Sequence, residues 1–505
     1  MKLSRYTLKN ISQDVITIPN ESVFELPEKV LQFGTGVLLR GLPDYFIDKA
    51  NKQGIFNGRI VVVKSTAQGD ASAFAKQDGL YTVCIRGLKN AQKVEENIIN
   101  ASISRVLSAA DQWEEVLECA HNINMQIIVS NTTEVGIQLV NDDVRHHPPK
   151  SFPGKLLAFL YERFRAFGGS AHSGMVIIPT ELIPDNGKKL ESIVLELAHL
   201  NSLEDAFIEW IENHNSFCNS LVDRIVPGKP DEDLLPVIEN DLGYTDALLT
   251  MSEVYSLWAI EGNENIKNLL TFYKSDEGVV IEPGIELYRE LKLRLLNGTH
   301  TLSCGVAFLS GIETVKQAMD NEPVASFISE LMLHEIASSI PYDVNPVKAK
   351  EFASSVLDRF RNPYIRHKWI SITMNYSSKM KMRIVPVLLK HYERSETAPT
   401  LMALGFAAYL FFMKATIKRG DQFYGSFNNE PYLIQDDQAA VFYKRWSGLS
   451  IAALVKEVSG DAAYWGYDLG SLPGFVSAVT EKLNLIIDNG MKDAIEHTIT
   501  KDYVA

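Results

Sequence analysis

Short, mainly apolar runs punctuate the first half of the chain, at 29–33, 59–64, 126–130 and 175–179, each bounded by polar or turn-forming residues. Strands without a polar face predict a parallel sheet covered on both sides, not a sheet with one wet surface. Between them, residues 109–120 and 155–167 carry apolar side chains at helical spacing, which predicts the covering helices. After about residue 285 the period changes. Residues 324–339, 347–361 and 400–418 repeat the helical pattern, and β-rich runs become rare. The pattern predicts an α/β domain over 1–280 followed by a mainly helical, all-α domain over 281–505, with 278–284 as the connector.

Length and composition sharpen this picture. A chain of 505 residues exceeds one ordinary core, so two domains are expected. Hydrophobic residues make up 46% and charged residues 22%, the balance of a globular protein. A net charge of −14 argues against a nucleic-acid partner, which calls for a basic stripe. It also means that an anionic substrate must find a local cationic niche in a repulsive field. Cys84, Cys119, Cys218 and Cys304 are scattered without metal-ligand spacing and read as buried thiols in a reducing compartment. The N-terminal residues lack a signal-like apolar run. The apolar stretch 401–413 is short of the roughly 20 residues a membrane span needs, so it predicts a buried core helix. The expected setting is cytoplasmic, with no membrane, nucleic-acid or metal partner.

The first predicted strand runs directly into Gly34-Thr35-Gly36-Val37-Leu38-Leu39-Arg40. This suits a dinucleotide phosphate turn: Gly34 for the tight bend, Gly36 for close approach of a pyrophosphate, and a new helix offering its N–H groups. Phe33 precedes the turn, Leu39 replaces the third glycine of the usual pattern, and Arg40 could reach a phosphate. Alone, such a motif is equally an ordinary strand–turn–helix. The second strand ends at Lys64-Ser65, with no acid to hold a ribose 2′-hydroxyl, so NAD(H) and NADP(H) both stay open.

Several motifs in one order resemble a known family. They are Gln32 to Gly36 with Leu39-Arg40, Gln77 to Thr82, Asn131-Thr132-Thr133-Glu134, Pro179 to Ile183 with Asn186-Gly187, Asn215 to Ile225, Leu296 to Thr301, and Arg361 to Ile365. Together they resemble the polyol-specific long-chain dehydrogenases, the mannitol dehydrogenase family, which includes hexuronate reductases. The resemblance implies a Rossmann-type NAD-binding domain, a helical catalytic domain, and reversible hydride transfer between a nicotinamide and the ketone or secondary alcohol of a hexuronate or polyol. It places Asn131, Thr133 and Glu134 near the cofactor. It implies a catalytic Lys292, Asn297 and His300. A further family asparagine is replaced here by Leu182, leaving Glu181 and Asn186 as candidates to meet the substrate in its stead.

The chemistry is consistent with that triad. Ketone reduction needs a proton on the developing alkoxide, which a desolvated lysine can supply, while Asn297 and His300 hold the oxygen. On a straight α-helix Asn297 and His300 lie about 140° and 80° around from Lys292, but His300 sits about 12 Å above it. The triad therefore predicts that the helix ends or kinks near Asn297-Gly298. A carboxylate substrate points to Arg361, Lys379 and Arg383, the densest basic stretch of the helical half, as its clamp. A non-catalytic nucleotide-binding protein is the rival reading, which an intact triad disfavours.

Overall fold

The computed structural model describes residues 1–65, 71–132 and 135–502. They pack into two compact units: Met1–Gly87 with Lys93–Ile285, and Leu88–Gln92 with Glu286–Ala505.

The first unit is built on a six-stranded parallel sheet. Its strands are β1 (Glu28–Phe33), β2 (Arg59–Lys64), β3 (Ile103–Ser108), β4 (Ile127–Ser130), β5 (Val176–Pro179) and β6 (Ser216–Phe217), in the spatial order β3-β2-β1-β4-β5-β6. That is the doubly wound dinucleotide-binding order, with its switch between β1 and β4. Alternation of side chains explains why the runs lack a polar face. Leu31, Phe33, Val61, Val63, Ile128 and Ile177 enter one core, with the helices Phe152–Phe167, Asn186–Leu200 and Asp205–His214. Val30, Ile60, Val62, Val129 and Ile178 enter the opposite core, with Pro43–Lys52 and the stacked pair Trp258 and Phe272. Both faces are dry, as the runs predict.

Two smaller sheets complete this unit. One sets Tyr81–Lys89 between Thr250–Glu253 and Gln92–Asn100; the other sets Leu257–Glu261 between Val279–Glu282 and Ser220–Asp223. The supposed connector 278–284 is thus largely a sheet strand, paired in parallel with Leu257–Glu261. Flanking glycines disguised a three-residue apolar run, Val279 to Ile281.

The second unit is helical. Thr400–Phe412 is apolar all round and fully wrapped, packing on Thr299–Leu309 and Phe475–Asn489. It stops at Phe412, short of the expected residue 418, and Ile417–Arg419 opens a small antiparallel sheet with Gln422–Phe427 and Glu430–Leu433. Among the described residues no helix is long and apolar enough to cross a membrane.

The helix carrying Lys292 departs from expectation. It runs without a break through Glu286–Leu291, Lys292–Gly298 and Thr299–Leu309, and Gly298 keeps right-handed helical angles (φ −64°, ψ −48°). No kink forms at Asn297-Gly298. Instead Lys292–Gly298 is a π-helical segment, with hydrogen bonds spanning five residues. Residues five apart in such a turn stack as residues four apart do in an α-helix. Lys292 and Asn297 therefore share a face one wide turn apart, and His300 follows Asn297 by an α-helical step of three. The helix is unbroken from 290 to 303, which counts against a bend that would gather the three side chains; the wide turn sets only Lys292 and Asn297 on a common face.

Candidate functional site

In the first unit, candidate groups gather at the C-terminal ends of β1, β4 and β5. Gly34 donates its N–H to the Val63 carbonyl (3.0 Å) and adopts φ +130°, a left-handed conformation that favours glycine. A Cβ there would lie 2.9 Å from both the Asn131 carbonyl oxygen and a Leu39 methyl. Above Gly36, by contrast, there is open space. A closed first glycine and an open second one fit a bound pyrophosphate, with Gly34, Gly36 and the following N–H groups as its cradle. Phe33 is fully buried against Phe152 (ring centroids 5.2 Å) and supports the turn from below.

Leu39 and Arg40 both point inward. Leu39 is core, so its contribution to a ligand is limited to its backbone. The Arg40 guanidinium donates to the Leu248 carbonyl and lies over the rings of Tyr81 and Phe74. It thus serves the core, because it occupies the buried face of the first turn beyond the glycines. Lys64 ends β2, half-buried. Thr133 and Glu134 lie outside the described residues.

The loops after β4 and β5 are laced together. The Asn131 amide donates to the Thr180 carbonyl (3.2 Å) and hydroxyl (3.0 Å). The Glu181 carboxylate accepts from the Thr132 N–H (2.9 Å), the Thr132 hydroxyl (3.0 Å) and the Ser130 hydroxyl (3.1 Å). Burial pushes the Glu181 carboxyl up, and these donors pull it back. Asn186 donates to the carbonyls of Pro179, Glu181 and Ser220 and accepts from the N–H groups of Gly187 and Ser220. With its amide filled in this way, Asn186 is a turn clamp rather than the expected substrate contact. Leu182 is 60% exposed within this unit.

Sequence reasoning missed Asp44. It lies fully buried beneath the glycine turn, where Gln32 donates to its carboxylate and to the Gly34 carbonyl (both 3.4 Å). Burial raises the Asp44 carboxyl to about 7. A buried Gln–Asp pair twelve residues apart leaves no periodic signal.

In the second unit, the centre is His300. Its ring stacks on Phe360 (centroids 4.2 Å) and meets His367 (5.3 Å) and Trp369 (5.8 Å) edge-on. Its Nε2 is buried and has no hydrogen-bond partner among the described residues. Burial, reinforced by His367, Arg359, Arg383 and Lys379, holds His300 well below the ordinary histidine range, so it is neutral at pH 7. Lys292 and Asn297 are both half-buried on the adjoining turn.

The basic groups are fixed individually. Arg383 donates to the Asn297 carbonyl (3.4 Å) and the Thr301 hydroxyl (3.2 Å), and burial lowers its pKa. Lys379 donates to the Ile372 carbonyl (2.9 Å); burial, then Arg383, lowers its pKa. Arg361 ends the helix Pro346–Phe360, half-buried; Arg359, two residues earlier and not foreseen, is the one acting on His300. Arg294 is the other omission. It grips the Glu290 carboxylate (2.9 and 3.2 Å) and donates to the carbonyls of Met382 (2.7 Å) and Arg383 (3.0 Å). Those acceptors lie in a second π-helical segment, Met380–Ile384, packed against the first. Among the described residues no group of His, Cys, Asp and Glu is placed to hold a metal ion.

Comparison with known proteins identifies the family and agrees with the fold. Residues 28–272 match the mannitol dehydrogenase Rossmann domain, and 284–487 match the mannitol dehydrogenase C-terminal domain. The altronate oxidoreductase of Halalkalibacterium halodurans is 36% identical over 98% of both chains, and that of Bacillus subtilis is 39% identical over 94% of this chain and 97% of the other. The fold matches Pseudomonas fluorescens mannitol 2-dehydrogenase, solved with NAD and D-mannitol, at TM-score 0.68 and 22% identity, covering 99% of this chain and 100% of that one. It matches a D-sorbitol dehydrogenase at TM-score 0.76 and 18% identity, covering 98% and 100%. With both domains matched in order and relatives aligned along nearly the whole length, the chain belongs to the mannitol dehydrogenase family of oxidoreductases.

Proposed function

We propose that the chain interconverts D-tagaturonate and D-altronate with NAD(H), a step of hexuronate catabolism in the cytoplasm. The observation that carries this reading is the cationic niche around His300. In a chain of net charge −14, Arg383 reaches the Thr301 hydroxyl next to the buried His300, and Arg359 and Lys379 add positive charge acting on the same ring. Such a field suits a substrate with a carboxylate and is wasted on a neutral polyol. Relatives of matching length named altronate oxidoreductase point the same way.

In this reading Lys292 gives its proton to the ketone oxygen in reduction and takes it back in oxidation. Asn297 and the neutral His300, through its unpartnered Nε2, hydrogen-bond that oxygen. Lys379 and Arg383 hold the carboxylate, and Arg361 is a more distant candidate. Phe33, Gly34, Gly36 and Asn131 shape the cofactor cradle, with Lys64 at its ribose end; Glu181 braces the Thr132 loop beside it. When bound, the nicotinamide supplies or accepts the hydride. NAD is favoured over NADP because the family member solved with a cofactor holds NAD. Four buried, unbridged thiols fit the reducing compartment.

The test is a substrate panel. D-tagaturonate, D-fructuronate and D-fructose are each assayed with NADH and with NADPH. The reading expects the highest kcat/KM for D-tagaturonate with NADH; a preference for fructose overturns it.

A further inference from the structure

The niche contains one ring that the proposed reaction does not use. His367 lies between the helix ending at Phe360 and the helix Trp369–Ile372. Its neighbours Arg366 and Lys368 both reach Glu313, at 3.4 and 2.7 Å, and both are exposed. Lys368 has extended backbone (φ −84°, ψ 133°). Side chains alternate along extended backbone, so the residue between two outward cations points inward. The segment is anchored: the Val315 N–H donates to the His367 carbonyl (2.9 Å), and the Trp369 N–H to the Glu313 carbonyl (3.0 Å).

The inward ring has one cation acting on it directly and a neighbouring ring, His300, on which more cations act. His300 of the helix Thr299–Leu309 meets it edge-on at 5.3 Å, and Lys379 of the helix Tyr376–Lys379 acts on it directly. Arg383 and Arg359 complete the set around His300. The acid that acts on Lys379 is Asp436, whose carboxylate already accepts from the N–H groups of Ser377 (2.7 Å) and Gln438 (2.9 Å). Glu313, the other nearby acid, is taken by Arg366 and Lys368.

We propose that His367 is a specificity-determining residue that binds the substrate's carboxylate beside Lys379 and Arg383 and takes up a proton as the anion enters. This rests on the hexuronate reading above. The physics is linkage. Without an anion, the ring sits beside Lys379 and sheds its proton at neutral pH, by burial first and then through Lys379. A carboxylate beside it offsets that positive field and raises the ring's proton affinity. Proton binding and anion binding then favour each other reciprocally. The KM of a carboxylate substrate should therefore rise with pH through the neutral range, by up to about tenfold per pH unit.

Three measurements test this on the full-length enzyme. Wild-type turnover of D-altronate with NAD comes first, because its absence sinks the hexuronate reading itself. Next, His367→Gln is compared with wild type between pH 6 and 8. The expected result is a KM for D-altronate raised roughly tenfold or more at pH 6.5. Its dependence on pH flattens, while the KM for NAD and the value of kcat stay close to wild type. Lys368→Gln, which alters the outward neighbour, should leave the D-altronate KM unchanged. Finally, D-altronate is titrated calorimetrically into the wild-type enzyme with NADH, in buffers of different ionisation enthalpy at pH 7.5, and should show net proton uptake. An unmoved KM and pH slope in His367→Gln, or no proton uptake by the wild type, overturns the proposal even if that variant proves unstable.

Discussion

The guanidinium of Arg294 donates to the backbone carbonyl of Arg383 at 3.0 Å. It holds the Glu290 carboxylate at the same time, so one buried ion pair joins the π-helical segment bearing Lys292 to the one bearing Arg383. Both side chains are nearly inaccessible, at 8% for Arg294 and 11% for Glu290. The geometry of the niche thus depends on a buried contact that the proposed reaction does not itself use.

Arg294→Ala should leave Glu290 charged and unpaired in the interior. A loss of about 3–5 kcal/mol is expected, readable as a lower urea midpoint by tryptophan fluorescence. Arg294→Met combined with Glu290→Gln should recover part of that loss while kcat/KM stays depressed. If the double variant regains full activity, the pair does not position Arg383.

Gly34→Ala places a Cβ 2.9 Å from the Asn131 carbonyl oxygen in a left-handed conformation. Strain of about 1–3 kcal/mol follows, with weaker NADH binding in a fluorescence titration. Gly36→Ala faces open space in the protein alone. It should fold normally and still lose NADH affinity, because the added methyl occupies the room meant for the pyrophosphate. Equal NADH affinity in Gly36→Ala and wild type would contradict the cradle.

Burial pushes the Asp44 carboxyl up to about 7, well above the ordinary carboxylate range. The folded state therefore holds a proton that the unfolded chain has released, and stability falls as pH rises from about 4 through 7. Asp44→Asn removes that dependence. At pH 8 it should be more stable than wild type by something on the order of 4 kcal/mol, and at pH 4 about equal. The measurement is urea unfolding at the two pH values; an equal gain at both would sink the idea.

His300 has the opposite sign. Its folded proton affinity is depressed, so the unfolded chain binds the proton first as pH falls below about 6.5. Stability from the neutral ring is complete above that pH and is lost below it, at about 1.4 kcal/mol per pH unit. His300→Gln should flatten this acid limb and lower kcat by about 10²–10³-fold. A steep acid limb persisting in the variant would assign it to other groups.

How much of this was legible in the sequence follows from which signals are periodic. The strands β1, β2, β4 and β5 announce themselves because both faces are dry, and the bounds read from the runs agree to within a residue. Thr400–Phe412 reads as a core helix for the same reason, but its end does not, because the following strand, Ile417–Arg419, is only three residues long with two of them charged. Val279–Glu282 was hidden between two glycines. The π-helical turn at Lys292 is invisible to a 3.6-residue period, although the five-residue spacing of Lys292 and Asn297 is what such a turn stacks. Arg40 and Asn186 carried the right chemistry for a site but were turned inward by neighbours that no local pattern encodes. Asp44, Arg294 and Arg359 were missed because each acts through a partner distant in sequence or on a buried helix face.

The central claim is that Lys292 moves the proton at the substrate oxygen. The direct measurement is Lys292→Ala, with NADH binding by fluorescence titration and kcat for D-tagaturonate in parallel. The account predicts unchanged NADH affinity with kcat reduced by about 10²–10⁴-fold. A variant that binds NADH normally and turns over near the wild-type rate would contradict it.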